Sequence, residues 1–179
     1  MDVPEYTVVQ GLPTPQQYHD LRKLANLTPP NRTMMLEAVP KALANSFACF
    51  LAYERKYMLD DTTPSPNQEP VAMGRLLGDG ALFLQLCDVA VHPGHQGKGI
   101  GKRIMQALVG YIDENAPHAY VSLVAEPLGQ MLYPRFGFED VKPSIGMFRC
   151  TPIQSNPDFR KLREEKAAGM LRSTAVRPE

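Results

Sequence analysis

The stretch VAVHPGHQGKGIGKRIM, residues 89–105, places four glycines within eight positions between two well-patterned segments. An apolar run typical of a strand precedes the glycines, and a helical pattern follows them. Glycines let backbone N–H groups turn towards an anion without obstruction by a Cβ atom. A helix N-terminus adds a partial positive charge, and Lys98 and Lys102 add full charges. The stretch is therefore typical of a phosphate-binding loop.

Spacing excludes the two commonest nucleotide-binding loops. For the dinucleotide pattern G-x-G-x-x-G, Lys102 or Ile104 stands where the third glycine is required. For the Walker A pattern G-x-x-x-x-G-K-[ST], Arg103 stands in place of Ser or Thr, and Gln96 in place of the first glycine. An ATP-binding or dinucleotide-binding domain is therefore not expected.

Composition limits the class of protein. The chain has 179 residues with 44% hydrophobic and 21% charged residues, which is ordinary for one globular domain. Its formal net charge is zero, so a broad basic surface for nucleic acid is not expected. We find no membrane span and no signal-peptide pattern, and the three cysteines lie in apolar runs without metal-ligand spacing. These features favour a cytoplasmic protein with buried free thiols and no metal site.

Strand and helix patterns alternate along the chain. The pattern predicts helices over residues 13–25, 33–45, 100–115 and 128–135. It predicts strands over residues 6–10, 47–53, 71–77, 81–91 and 119–125, with one or two more in residues 138–150. The segment GDG, residues 78–80, is expected to turn a hairpin, and the proline-rich residues 60–70 a loop. Together the segments predict an α/β protein of the mixed α+β type.

The motif Q-x-x-G-x-G, formed by Gln96, Gly99 and Gly101, resembles the acetyl-CoA-binding motif of the GNAT acyltransferase superfamily. The later stretch LYPRFGF, residues 132–138, is similar to the LY-x-x-x-GF signature of that family. The resemblance implies the GNAT fold, a twisted mixed sheet of six to seven strands flanked by about four helices. It covers residues 47–150, and we expect a single domain over residues 1–150 with a C-terminal extension over residues 151–179.

The resemblance also implies how acetyl-CoA is bound, as a co-substrate without a metal. The backbone of the motif strand would pair with the pantetheine arm, and the loop amides would hold the pyrophosphate. The residues implied are Val89, Ala90, Val91, Gln96, Gly97, Lys98, Gly99, Ile100, Gly101, Lys102 and Tyr133.

Three residues are candidates for catalysis. Tyr133 occupies the position of the family's general acid, and a phenol with a pKa of ~10 can donate towards a departing thiolate. Asp88 is a candidate base because strand alternation puts it on one face with Leu84, Leu86 and Ala90, where a lone carboxylate is costly. An Asp that binds a nearby loop amide is the alternative. Glu126 stands where many members carry Asn, so it is a second candidate base or a solvated side chain.

The leading function is transfer of an acetyl group from acetyl-CoA directly to a primary amine, which we expect to belong to a small molecule. A protein lysine or N-terminus is the alternative acceptor, and a non-catalytic CoA-binding sensor is the alternative class of protein. A ping-pong mechanism through Cys87 is not expected, because no base accompanies it in the sequence. Neither nucleic acid nor membrane is an expected partner, whereas the helix-forming tail would allow a homodimer.

Overall fold

The computed structural model describes residues 5–126, 129–147, 149 and 164. Its strands are β1 (Tyr6–Gln10), β2 (Ala48–Glu54), β3 (Ala72–Gly78), β4 (Phe83–Val91) and β5 (Tyr120–Leu123). Its helices are α1 (Pro15–Leu24), α2 (Arg32–Glu37), α3 (Val39–Ala44) and α4 (Ile100–Asn115), with 3-10 turns at Arg55–Tyr57, Pro93–His95 and Tyr133–Phe136. The mixed α+β class and the four helices are confirmed.

The strands form one sheet in the order β1-β2-β3-β4-β5. All neighbours are antiparallel except β4 and β5, which run parallel. The sheet has five strands within the described part of the chain, so the expectation of six to seven is too high. The missing strands are those expected in residues 138–150: residues 138–147 form no strand, and residues 148 and 150 lie outside the described residues.

The second helix of the sequence pattern is divided in two. Residues 33–45 were expected to form one helix, but α2 ends at Glu37 and α3 begins at Val39. Pro40, in the first turn of α3, has no N–H group with which to continue the hydrogen-bond ladder of α2. The apolar periodicity of the sequence did not predict this break, because the apolar residues keep the same helical spacing across α2 and α3.

A β-bulge in β4 changes which face its side chains occupy. Leu86 pairs with Leu76 and Cys87 with Arg75, but the next pair is Ala90 with Met73, so two residues oppose Gly74. The bulged Asp88 has φ of 55°, in the left-handed region that Asp and Asn adopt more readily than most residues. The expectation that Leu84, Leu86, Asp88 and Ala90 share one face is therefore wrong, because the extra residue reverses the alternation.

The carboxylate of Asp88 is held by cations from two elements. Its Oδ2 accepts from Nε of Arg75 at 2.8 Å, and its Oδ1 accepts from Nη1 of Arg22 on α1. The hydroxyl of Tyr18 donates to the same carboxylate at 3.1 Å. Arg75 also donates to the carbonyl of Ala42 at 3.2 Å. The cluster therefore fastens α1 and α3 to the bulge.

Apolar cores lie on both faces of the sheet. On one face Leu21 of α1 packs with buried strand residues, namely Val9, Cys49, Leu51, Tyr53, Met73 and Ala90. On the other face α4 presents Ile100, Ile104, Met105 and Leu108, all almost fully buried. Gly74 of β3 allows the close approach of α4, because a Cβ atom there would lie 2.6 Å from Cγ2 of Ile104.

The chain divides into two compact units, residues 1–124 and residues 125–179. In the second unit, turns over residues 129–132 lead into the 3-10 helix Tyr133–Phe136, where a longer helix over residues 128–135 was expected. Gly137, with φ of 79°, ends that helix. Residues 127 and 128, and residues 151–179 apart from Glu164, lie outside the described residues. The single domain over residues 1–150 stays a prediction.

Substitution of Gly74 by Ala tests the packing of α4 on the sheet. The added methyl group meets two side chains that are fully buried, Ile104 at 2.6 Å and Leu108 at 2.7 Å. We expect a loss of about 1–3 kcal/mol in the free energy of unfolding, measured by urea denaturation. Gly110, within α4, has open space around it, so Gly110→Ala should stabilise the protein by about 0.5–1 kcal/mol. Equal stability of the two variants would contradict this view of the core.

Substitution of Asp88 by Asn tests the charge cluster. Asn tolerates the left-handed conformation of the bulge but leaves Arg75 and Arg22 without their anion. We expect the free energy of unfolding to fall by about 3 kcal/mol, the lower end of the range for breaking a buried ion pair. Asp113→Asn, on the exposed side of α4, is the control and should change it by less than about 0.5 kcal/mol. A similar small change for Asp88→Asn would show that the cluster adds nothing to stability.

Candidate active site

The glycine loop presents backbone donors at the start of α4. Gly97 and Gly99 have φ of 78° and 76°, and a Cβ atom at either would meet no neighbour within 4 Å. Gly99 caps α4 without a side-chain hydrogen bond, and the first N–H group of the helical ladder is that of Arg103. Within the described residues, no group accepts a hydrogen bond from the N–H groups of residues 97–102. The loop is therefore an open cradle for an anion at a helix N-terminus.

The loop is fastened back to its own strand. Nε2 of Gln96 donates to the carbonyl of Val91 at 3.0 Å, and the N–H of Gly94 donates to Nδ1 of His92 at 3.1 Å. The side chain of Gln96, expected among the pyrophosphate-binding residues, thus closes the turn between β4 and the glycines. Gln96 therefore has a structural role in the loop, in addition to any contact with a ligand.

The edge of β4 is open where it leaves β5. The paired positions run from Phe83 with Tyr120 to Leu86 with Leu123, and no pair follows them in the described residues. The bulge at Asp88 comes immediately afterwards, so Val89, Ala90 and Val91 have a partner strand only on the β3 side. Free backbone groups along this edge can pair with an extended chain such as a pantetheine arm.

The surroundings of Asp88 favour a structural role over that of a free base. Its carboxylate side chain is 6% exposed, and Arg75, Arg22 and Tyr18 occupy both oxygens. Burial and then the charge of Asp88 raise the pKa of Tyr18 to about 12, so Tyr18 remains a donor at neutral pH. Sequence reasoning missed these partners. The hairpin register offered a signal, since it places Arg75, the one charge in an apolar strand, beside the bulge.

Two thiols lie on the same side of the sheet as this cluster. Burial raises the pKa of Cys87 to about 12, and the charge of Asp88 adds to the effect. Burial also raises the pKa of Cys49 to about 12. Because the thiolate is the nucleophilic form, neither side chain is suited to carry an acyl group at neutral pH.

Tyr133 and Glu126 lie together in the second unit. Burial raises the pKa of the Tyr133 phenol, and the negative charge of Glu126 raises it further. The ring stands edge-on to Phe138, with 6.2 Å between centroids. A Cβ atom on Gly129 would lie 2.9 Å from the Tyr133 ring, so a larger residue at this position would displace the ring. The phenol is held protonated, as a hydrogen-bond donor must be.

The two lysines of the loop have different surroundings. The ammonium of Lys98 lies 3.0 Å from the hydroxyl of Tyr6 and 3.4 Å from Oε1 of Glu5, at the start of β1. Lys102 is exposed and has no ion-pair partner among the described residues. The hydroxyl of Tyr6 also lies 3.0 Å from Nδ1 of His95. Tyr6 was not a candidate in the sequence, because nothing local links β1 to a loop so distant in the chain.

The described residues contain no group of three His, Cys, Asp or Glu side chains that could hold a metal ion. None of the helices within those residues is long and apolar enough to cross a membrane.

Comparison with known proteins identifies the family. The model of the acetyltransferase (GNAT) domain matches residues 46–140. A serotonin N-acetyltransferase of rice is 33% identical over 88 residues, which are 49% of this chain and 44% of the relative. An uncharacterized N-acetyltransferase of the red alga Pyropia yezoensis is 29% identical over 114 residues, 63% of this chain and 60% of that protein. The chain thus matches about half the length of these curated relatives.

Solved structures agree with the family model. A probable acetyltransferase of unknown function from methicillin-resistant Staphylococcus aureus is 32% identical, with a TM-score of 0.67. The match covers 81% of this chain and 98% of that protein. The family model agrees with the glycine loop and with the open edge of β4. The chain therefore belongs to the GNAT acetyltransferase family.

Proposed function

We propose that the chain is an acetyl-CoA-dependent N-acetyltransferase that passes the acetyl group directly to the primary amine of a small molecule. The observation that carries the proposal is the pairing of two features in residues 83–105. The free N–H groups at the start of α4 suit a pyrophosphate, and the unpaired edge of β4 suits the pantetheine arm. Acetyl-CoA supplies both groups in one molecule.

Binding in this place would bring the thioester to the backbone of β4. A backbone N–H group of β4 that faces away from β3 would polarise its carbonyl, and the amine would attack that carbon. A carbon–nitrogen bond forms, the carbon–sulfur bond breaks, and the amine loses a proton. Glu126, which is exposed, is the candidate to accept that proton, directly or through water, because Asp88 is already bound to two arginines.

Tyr133 would stabilise the departing sulfur. A thiol has a pKa of ~8.5 and an ordinary phenol ~10, so complete transfer of the phenolic proton to the thiolate is uphill. Burial raises the pKa of Tyr133 further. Donation of a hydrogen bond to the developing thiolate is therefore the larger part of its contribution. The raised pKa of Cys87 supports direct transfer without an acyl-enzyme.

The acceptor is proposed to be a small amine for two reasons. The relative from rice is named for the acetylation of serotonin, although the matched region is 44% of its length. Two of the three carboxylates in the loop of residues 60–70 also have partners within the protein: Asp61 pairs with Arg55, and Asp60 accepts from the N–H groups of Thr62 and Thr63. These two are therefore less available to a basic peptide than the sequence alone suggests.

The test of this function is thiol release from acetyl-CoA over a panel of arylalkylamines, polyamines and lysine peptides. We expect turnover with a small amine. Labelling of peptides alone would move the function to a protein acetyltransferase. Binding of acetyl-CoA without turnover on any acceptor would favour a CoA-responsive module and remove the catalytic assignments.

Tyr133→Phe tests the proposed donor within that assay. Loss of a hydrogen bond to a charged group costs about 1.5–3 kcal/mol, so kcat should fall about 10- to 100-fold. The dissociation constant of acetyl-CoA, measured by calorimetry, should stay within about threefold, because the hydrogen bond becomes strong only when charge develops on the sulfur in the transition state. An unchanged kcat would remove Tyr133 from the chemistry.

Gly129→Ala tests whether the position of the Tyr133 ring matters. The new methyl group would lie 2.9 Å from the ring and 3.3 Å from its hydroxyl, so the ring must shift. We expect kcat to fall about tenfold or more, since a displaced catalytic group loses much of its effect. Gly146→Ala, also in the second unit but with open space around it, is the matched control and should keep kcat. Equal kcat values for the two variants would contradict the assignment.

A further inference from the structure

Tyr6 joins the first strand to the glycine loop. The residue is 3% exposed, and its hydroxyl lies 3.0 Å from Nδ1 of His95 and 3.0 Å from Nζ of Lys98. Its ring also stands edge-on to the imidazole of His95, at 5.8 Å between centroids and 88° between planes. Tyr6 and His95 are 89 positions apart in the chain, so this contact exists only in the folded protein.

The hydroxyl of Tyr6 takes part in two hydrogen bonds with the loop. The ammonium of Lys98 can only donate, so the oxygen of Tyr6 accepts from it. The second bond joins the hydroxyl to Nδ1 of His95, and its donor is set by the tautomer of the imidazole. Two positions of the loop, one on each side of Gly97, are thereby held by a single buried phenol.

The charge of Lys98 is directed to β1. Its ammonium lies 3.4 Å from Oε1 of Glu5 and 5.6 Å from the centre of the Tyr6 ring. The hydrogen bond with Tyr6, followed by that with Glu5, raises the pKa of Lys98. Lys102 has no such partner within the part of the chain that the structure describes. Lys98 therefore binds residues at β1 whereas Lys102 does not, a difference that the sequence alone does not show.

The start of α4 is fastened at the same point. Nη1 of Arg103 donates to the carbonyl of Tyr6 at 2.7 Å. Loop and helix are thus tied to one residue of β1, the loop through the Tyr6 side chain and the helix through its backbone. The N–H groups of residues 97–102 lie between these attachments.

We propose that Tyr6 is a positioning residue for acetyl-CoA, and that Lys98 acts on acetyl-CoA through Tyr6 rather than by contact with a phosphate. This inference rests on the proposed function. A loop with glycines at 97 and 99 loses much backbone conformational freedom when it is fixed around a ligand. The contacts of Tyr6 already restrict the loop before acetyl-CoA binds. This restriction raises the affinity for acetyl-CoA without a new contact to it.

A double-mutant cycle measured by calorimetry with acetyl-CoA tests the inference. Tyr6→Phe keeps the buried ring and removes both hydrogen bonds, so the dissociation constant should rise about five- to tenfold. Lys98→Met should raise it about threefold or more in the wild-type background. In the Tyr6→Phe background, Lys98→Met should raise the dissociation constant by less than about twofold, because the hydroxyl that Lys98 binds is already absent.

Lys102→Met is the matched control in the cycle. If Lys102 attracts the phosphates directly, its effect on the dissociation constant should be the same in both backgrounds, and it should diminish with added salt. At saturating acetyl-CoA, kcat of Tyr6→Phe should stay within about twofold of wild type, since a positioning residue affects binding and not the chemical step.

The outcomes separate this inference from the proposed function. Failure of the wild-type protein to bind acetyl-CoA would overturn both. Tight binding by wild type together with unchanged binding by Tyr6→Phe, or a fully additive effect of Lys98→Met, would overturn the role of Tyr6 alone. If Tyr6→Phe does not fold, His95→Phe removes one hydrogen-bonding partner of Tyr6 in the loop and leaves Tyr6 in place. It should raise the dissociation constant about threefold or more, and an unchanged value would again contradict the inference.

Discussion

The pairing of Asp88 with Arg75 and Arg22 is the interaction on which the rest of the site depends. A carboxylate with a 6% exposed side chain is stable only if cations and hydrogen bonds replace its water, and this one has both. The bulge that contains it lies just beyond the last pair of β4 with β5, Leu86 with Leu123. The buried charge is therefore placed where the edge of β4 becomes open within the described residues.

The same cluster positions the elements around the candidate site. Arg22 belongs to α1, and it also donates from Nε to the carbonyl of Thr28, in the connection that leads to α2. Arg75 reaches α3 through the carbonyl of Ala42. The excess positive charge of two arginines over one carboxylate is offset by neutral acceptors such as the carbonyls of Thr28 and Ala42. Both oxygens of Asp88 are already hydrogen-bonded, so the cluster suits a structural role better than the role of a base.

Local patterns predicted the parts of the fold that depend on local chemistry. The bounds of β1, the glycine turn before β4 and the extent of α4 follow from alternation, from glycine conformation and from helical periodicity. The break at Pro40 was missed because apolar periodicity continues across it. The face of Asp88 was wrong because a bulge adds one residue without changing composition. The link from Tyr6 to His95 depends on tertiary structure, which no window of the sequence contains.

The burial of the two described thiols has a consequence for redox behaviour. With a pKa of about 12, Cys87 and Cys49 are thiolates in roughly one molecule in 10⁵ at neutral pH. Peroxides and alkylating reagents attack thiolates, so both side chains should react slowly with them. In the proposed acetyl transfer, these two side chains would therefore not exchange acyl groups with the thioester or disulfides with the released thiol. Burial, which serves packing, also makes the two thiols chemically inert.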